Sequence, residues 1–337
     1  MADKTLSEIA QLMVANNKGL LAADESTKTA GKRLASISLE STPETRRQYR
    51  DLFLSAEGVE QGISGVILHH ETMEQSAFDG TPFIKLLEKK GIIPGIKVDE
   101  GTIDLPKFPG EKVSEGLDKL GDRLKKYYEM GARFAKWRAV ITIGDGIPTD
   151  FCILANAHAL ARYAALCQEN NIVPVVEPEV LIDGTHDIHR SYDVTVKTLE
   201  ALFNQLKEHK VDLTGVILKS SMVISGKECP EQASPEEIGK LTIKCFKKAV
   251  PRELPGIVFL SGGQTAVQAT ENLNAVNMVN PGPWIISFSY ARALQGPSLE
   301  IWKGKPENVP AAQKEFIKRL KANVAANKGE YTSEMEN

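Results

Sequence analysis

The sequence predicts an α/β fold, a single (β/α)8 TIM barrel, on three observations. Short apolar runs, many of them β-branched, recur eight times at nearly regular spacing. Longer segments of helical periodicity lie between them, which is the alternation of an α/β fold. The polar residues able to do chemistry stand at the C-terminal ends of the runs, and in a closed barrel those ends meet at one mouth. A doubly wound open sheet is the alternative, but it gathers them less completely.

The elements follow in order. The opening MADKTLSEIAQLMVANNKGLL reads as an amphipathic helix and not as a signal peptide, having neither a long apolar core nor a small-residue cleavage site. The eight runs are GLLAADES (19–26), GISGVILHHE (62–71), IIPGIKVDEG (92–101), ARFAKWRAV (132–140), NIVPVVEPE (171–179), LTGVILKSS (213–221), GIVFLSGG (256–263) and PWIISFSYAR (283–292). Their brevity fits parallel strands covered on both faces. Helices are expected over 149–170, behind a Thr149 or Asp150 cap, over 193–209 and over 234–250. In the last, Ser234 caps, Pro235 takes the first helical position and Glu237 completes a capping box. The polar stretch from Gly329 suggests a loose end, giving a catalytic barrel over 1–330 and a short flexible tail over 331–337.

Composition narrows the function. The chain has 337 residues, 25% of them charged, and a net charge of -3, which gives no basic surface for nucleic acid or membrane. No run of about 18 apolar residues occurs. Cys152, Cys167, Cys229 and Cys245 form no CxxC pair, which argues against a disulfide framework or structural zinc and fits a cytoplasmic protein.

The run ends supply Asp24, His69 and His70, Lys97, Lys136 and Arg138, Glu177 and Glu179, Lys219, Ser261 to Gly263, and Ser289 with Arg292. Lys219 closes an apolar strand, where a lysine is ordinarily a solvent-facing cap. A free lysine has a pKa near 10.4 and is inert as a nucleophile at neutral pH; desolvation and a nearby cation such as Lys136 favour its neutral form. Glu177 and Glu179 read equally as a proton-transfer pair or as ion-pair partners of Lys136 and Arg138. Asp24 and Ser26 have a plainer reading as caps of the following helix.

LSGG before QTAVQAT places backbone amides ahead of a helix, a natural phosphate cradle that Arg292 would complete. Phosphate sites in barrels recur beside strands seven and eight, and these are the seventh and eighth runs. Across the mouth, Ser26, Thr29, Arg33, Lys97 and Arg138 form a second anion site. Two anion sites flanking an amine and carboxylates point to a bisphosphorylated carbonyl substrate. A metal site at His69, His70 and Glu71 is disfavoured, because no ligand spacing such as HExxH accompanies them. These residues read as structural or pocket-wall groups. His158, His186, His189 and His209 fall on helices or loops, and Trp137, Trp284 and Trp302 read as packing.

Taken jointly, LLAADEST, GIKVDEG, FAKWRAV, IVPVVEPE, GVILK, FLSGGQ and FSYARALQ resemble class I fructose-1,6-bisphosphate aldolases, in order from about residue 5 to 331. The resemblance implies reversible cleavage of fructose 1,6-bisphosphate to dihydroxyacetone phosphate and glyceraldehyde 3-phosphate, in glycolysis or gluconeogenesis. It needs no metal cofactor, and it implies a homotetramer. By position, Lys219 matches the Schiff-base lysine and Glu177 the acid–base residue. Glu179 and Lys136 adjust proton and charge, and Asp24 orients substrate during cleavage. Ser261, Gly262, Gly263, Ser289 and Arg292 match the 1-phosphate site, and Ser26, Thr29, Arg33, Lys97 and Arg138 the 6-phosphate end.

Three departures stand out. LKSSM replaces a common LKPNM, and Ala291 replaces a glycine, so that its Cβ is expected to crowd the anion. The family's long tail ending in tyrosine is not present after Tyr331, so enamine protonation is expected to be slower or served by another group. The rivals are another Schiff-base barrel of transaldolase type, an aldolase preferring fructose 1-phosphate or a seven-carbon bisphosphate, a metal-dependent aldolase, and a non-catalytic binding scaffold.

Overall fold

The computed structural model describes residues 4–337, so the first three residues of the expected barrel segment lie outside the described chain. Each of the eight runs supplies one barrel strand, and the fourth and fifth strands extend one residue past their runs. These are β1 (Gly19–Ala23), β2 (Ile63–Leu68), β3 (Ile93–Lys97), β6 (Phe134–Ile141), β7 (Val173–Val180), β8 (Ile217–Ser220), β9 (Gly256–Phe259) and β10 (Ile285–Tyr290). They pair in parallel and close in the order β1-β10-β9-β8-β7-β6-β3-β2. The sequence reading lacks a two-stranded antiparallel hairpin, β4 (Thr102–Asp104) with β5 (Lys112–Ser114), inserted after β3. Three-residue strands are too short to show a period.

Alternation along each strand sorts the core into two shells. Leu20, Ile67, Ile93, Phe134, Val173, Val175, Ile217 and Val258 point inward and fill the lower barrel. Their neighbours Leu21, Val66, Ala135, Trp137, Val176 and Leu218 point outward and pack under the helices. Gly95 makes room for the Phe134 ring, since a Cβ there would lie 2.2 Å from it. The first helix, Leu6–Val14, closes the bottom by burying Ile9, Ala10, Met13 and Val14 against this inner shell. A reciprocal capping box between Thr5 and Glu8 starts it.

The helices follow their caps. Thr149 caps Asp150–Glu169 as expected. The helix expected from 193 begins at Ile188, because Asp187 accepts the Arg190 N–H and sets its start earlier. Ser234 accepts the Glu237 N–H at 3.3 Å, one half of the expected capping box. Trp137, Trp284 and Trp302 are buried. Residues Ser333–Glu336 form a turn of 3-10 helix, Tyr331 is 9% exposed, and its hydroxyl donates to Glu336 at 2.7 Å. Glu336 in turn pairs with the buried Arg319, so the cost of burying that guanidinium is offset by docking the tail.

Candidate active site

The inward-facing positions that are apolar low in the barrel become charged at its C-terminal rim. On β6, Phe134 is followed at two-residue steps by Lys136 and Arg138; on β7, Val175 by Glu177 and Glu179; on β8, Ile217 by Lys219. The strand period therefore turns one packed layer into one reactive layer directly above it. A cleft of about 390 Å³ opens on that layer.

Asp24, Ser26, Thr29, Arg33, Lys97, Lys136, Arg138, Glu177, Glu179, Lys219, Ser261, Gly262, Ser289 and Arg292 all line it. Gly263, at φ +77, is the exception: its Cβ position faces Ile182 and Lys227, and it lines a neighbouring cavity. Only glycine fits that positive φ without strain.

Lys219 lies inside β8 and is 4% exposed, so it is no solvent-facing cap. Its Nζ stands 3.0 Å from Glu177 Oε1. The other Glu177 oxygen faces Lys136 Nζ at 3.3 Å and receives no hydrogen bond. Lys136 Nζ lies 2.7 Å from Asp24 Oδ2 and 4.0 Å from Asp99 Oδ2. Burial works against the Lys136 charge, but Asp24, Glu177 and Asp99 outweigh it and raise its pKa well above the ordinary lysine value. Burial likewise opposes the Asp24 carboxylate, and Lys136 and Lys219 overcome it, holding Asp24 well below the usual carboxylate range.

Lys136 stands beside Lys219 as a cation ringed by carboxylates, and Glu177 bridges the two lysines with one oxygen each. Of the readings left open for the two glutamates, the ion pairs are present: Glu179 meets Arg138, and Glu177 stands between Lys136 and Lys219. Arg138 is held charged, since Glu179, Glu177 and Asp99 override its burial.

On the β9–β10 side, Ser289 is 1% exposed and its hydroxyl has no partner. An unpaired buried hydroxyl is costly, and here it faces the cleft, where an anion would satisfy it. The following helix, Arg292–Trp302, has no side-chain cap, leaving its first amides open beside the exposed Arg292. The helix after the glycine turn starts only at Ala266, and Thr265 and Gln268 cap it reciprocally. The cradle on that side therefore rests on the 261–264 turn and on the 292 helix. Gly262 is tightly placed, since a Cβ would lie 2.9 Å from Glu179 Oε1. Ala291 needs no glycine freedom, having φ -106. Ser220 and Ser221, in place of the commoner residues after Lys219, donate to the Ser221 and Val180 carbonyls at 2.9 and 2.8 Å. Of the two, Ser221 ties the end of β8 to β7.

Directly across the barrel, Lys97 Nζ forms an ion pair with Asp99 Oδ1 at 2.7 Å and donates to the Asp99 carbonyl at 2.6 Å. Ser26 caps the helix Thr27–Ser36 by accepting the Thr29 N–H, whereas Asp24 turns into the cleft. Arg33 is drawn by Glu25, Tyr49 and Gln295, and Arg50 holds the other oxygen of Glu25. Glu25 and Asp99 are the site groups missing from the sequence reading. Both were legible as carboxylates one or two residues from a predicted site residue.

His69 lies outside the cleft. Burial and then the cations Arg50 and Lys97 depress its pKa, and its neutral Nδ1 accepts the Glu71 N–H at 3.4 Å. Glu71 is engaged by Arg46. No cluster of three or more His, Cys, Asp or Glu with metal-site geometry occurs among the described residues.

Comparison with known proteins agrees with this geometry. Residues 5–337 match the family described as fructose-bisphosphate aldolase class-I. A protein of Xylella fastidiosa named probable fructose-bisphosphate aldolase class 1 is 53% identical over 98% of this chain and 99% of its own. Cytosolic fructose-bisphosphate aldolase 6 of Arabidopsis thaliana is 50% identical over 96% of this chain and 93% of its own. Among solved structures, the fructose-bisphosphate aldolase of Plasmodium falciparum, in a ternary complex with TRAP and a small-molecule inhibitor, superposes with a TM-score of 0.96. It is 47% identical and covers 97% of this chain and 95% of its own. With the barrel, the buried rim lysine and near full-length identity of about half agreeing, the chain belongs to the class I fructose-bisphosphate aldolase family.

Proposed function

We propose that this chain cleaves fructose 1,6-bisphosphate reversibly to dihydroxyacetone phosphate and glyceraldehyde 3-phosphate through an imine on Lys219. The observation that carries the reading is the Lys219 amine, buried at a strand end with Glu177 Oε1 at 3.0 Å, within a cleft walled by Lys136 and Asp24. Glu177 takes a proton from Lys219, and the freed nitrogen pair attacks the C2 carbonyl, one nitrogen proton passing to the new alkoxide oxygen to give the neutral carbinolamine. The protonated Glu177 returns that proton to the carbinolamine hydroxyl, which leaves as water and forms the imine. Glu177, again a carboxylate, accepts the C4 hydroxyl proton as the C3–C4 bond breaks. The bonding electrons move into the protonated imine, giving an enamine and releasing the aldehyde. The ammonium of Lys136, held between Asp24 and Glu177, offsets negative charge as it develops. Protonation of the enamine and hydrolysis free the ketone product and Lys219.

In this reading the β9–β10 side, with Ser261, Gly262, Ser289, Arg292 and the backbone at Gly263, binds the 1-phosphate. Ser26, Thr29, Arg33, Lys97 and Arg138 receive the 6-phosphate. Cations on both sides of Lys219 favour a bisphosphate over fructose 1-phosphate. No metal takes part, because the imine supplies the electron sink. The barrel is the catalytic unit and works in the cytoplasm as a homo-oligomer, a tetramer in the family pattern. Four free cysteines support the reducing compartment, and exposed Phe151 and Leu154 are apolar surface that assembly would cover. Borohydride reduction with dihydroxyacetone phosphate, followed by peptide mapping, tests the reading. Added mass on the Lys219 peptide is expected, and an unlabelled Lys219 would overturn it.

A further inference from the structure

Asp99 sits just beyond β3, 3% exposed at its side chain, and every oxygen it offers is in use. Its Oδ1 takes Lys97 Nζ at 2.7 Å and the Gly101 N–H at 3.2 Å. Its Oδ2 accepts the Arg138 N–H at 3.3 Å and faces Lys136 at 4.0 Å. Its carbonyl accepts a hydrogen bond from Lys97 Nζ at 2.6 Å. Lys97 thus gives one hydrogen bond to the Asp99 carbonyl and makes one close ion-pair contact with Oδ1, both to the same residue, and an ammonium has donors to spare beyond these. Lys97 lines the cleft, on the strand opposite the one that leads into Ser261 and Gly262. A lysine stem left free would lose much rotamer entropy on gripping an anion; one already fixed loses little.

We infer that Asp99 is a positioning residue that presets Lys97 as an anion contact and thereby sets the preference of the cleft for substrates carrying a second phosphate. The inference rests on the cleavage reaction proposed above and adds a residue to it. Asp99 itself reaches no reacting atom. Lys136 is held more closely by Asp24 and Glu177, at 2.7 and 3.3 Å, so loss of Asp99 leaves the chemical step largely in place. Asp99 also ties the Gly101 loop to β6, and the test must separate this from the role assigned here.

The experiment compares steady-state cleavage of fructose 1,6-bisphosphate and fructose 1-phosphate by the full chain and by Asp99→Asn. The amide keeps the shape and loses the charge. KM for the bisphosphate is expected to rise about tenfold, the scale of one lost preset charge contact. KM for the monophosphate and both kcat values should stay within about threefold. In a Lys97→Met background, Asp99→Asn should no longer move the KM ratio. A purely structural role would shift both substrates alike and persist without Lys97, and either result overturns the inference, as does a fall in KM for the bisphosphate. Should Asp99→Asn fail to fold, Asp99→Glu retains the charge one methylene away and should raise only the bisphosphate KM, by about threefold; equal shifts overturn the inference. Borohydride trapping on the unaltered chain separates the two levels: without a Lys219 adduct the cleavage reading fails, whereas an adduct with an unmoved KM ratio defeats only the role of Asp99.

Discussion

Replacing Lys136 by methionine probes the charge layer most directly. Lys136 is 3% exposed and stands 2.7 Å from Asp24. At an effective dielectric of about 20, unit charges that close attract by roughly 6 kcal/mol, most of which repays the desolvation of the pair. Breaking a buried pair by removing one partner costs about 3–5 kcal/mol, because the other charge is left stranded. Lys219 and Lys97 still act on Asp24, so a loss near 3 kcal/mol at pH 7 is expected, with methionine preserving most of the packing. The pH dependence has a definite sign. Asp24 titrates lower in the folded chain than its ordinary 3.8, so its contribution is present above about pH 4 and is lost as pH falls through the depressed value. Lys136 titrates higher than its ordinary 10.5, so its contribution is complete below that pH and is lost as pH rises through the raised value. In Lys136→Met, Asp24 protonates more readily, and the stability gap should narrow as pH falls through 4. Urea unfolding followed by fluorescence of Trp137, buried on the same strand, reads this at pH 7 and pH 4. A gap below 1 kcal/mol at pH 7, or one equal at both pH values, would refute the reasoning.

Other consequences are simpler to state. Lys219→Arg keeps a cation beside Glu177 but removes the nucleophile, so folding should persist while turnover falls by about 10⁴-fold or more and borohydride adds no mass. Retained cleavage would contradict the imine mechanism. Glu336→Gln weakens the tie to Arg319 and should cost about 1 kcal/mol while speeding amide exchange over 331–337. Arg319 and Tyr331 lower the Glu336 pKa against its burial, so the intact tail should also loosen as pH drops through that lowered value, and not in alkali. Gly226→Ala places a Cβ 2.2 Å from the Gly184 carbonyl oxygen, a backbone atom with little freedom to move. A destabilisation of about 1–3 kcal/mol is expected in thermal or urea unfolding.

Much of this molecule was legible residue by residue. Eight apolar runs became eight strands because each run is too short for a helix and is bounded by turn residues. The caps at Thr149 and Ser234 were readable because capping is local, decided by one side chain and an amide three residues on. The hairpin after β3 was not, since its strands hold three residues each. The contact of the tail with the barrel was not legible, because polar composition does not reveal that Glu336 answers a buried Arg319.

By itself, the sequence determined which residues line the mouth: a two-residue period above an apolar layer carries Lys136, Glu177 and Lys219 inward whatever their neighbours are. Only the tertiary structure decided which charges meet. Glu177 bridges two lysines, Asp24 chooses Lys136 over a helix cap, and Asp99 holds Lys97. Facing direction follows from local backbone geometry, which any strand imposes on its own residues. The Lys97–Asp99 contact lies within one strand end, but the other pairings depend on strand register and barrel closure, which bring together groups on different strands at distances where a few tenths of an ångström set the electrostatics.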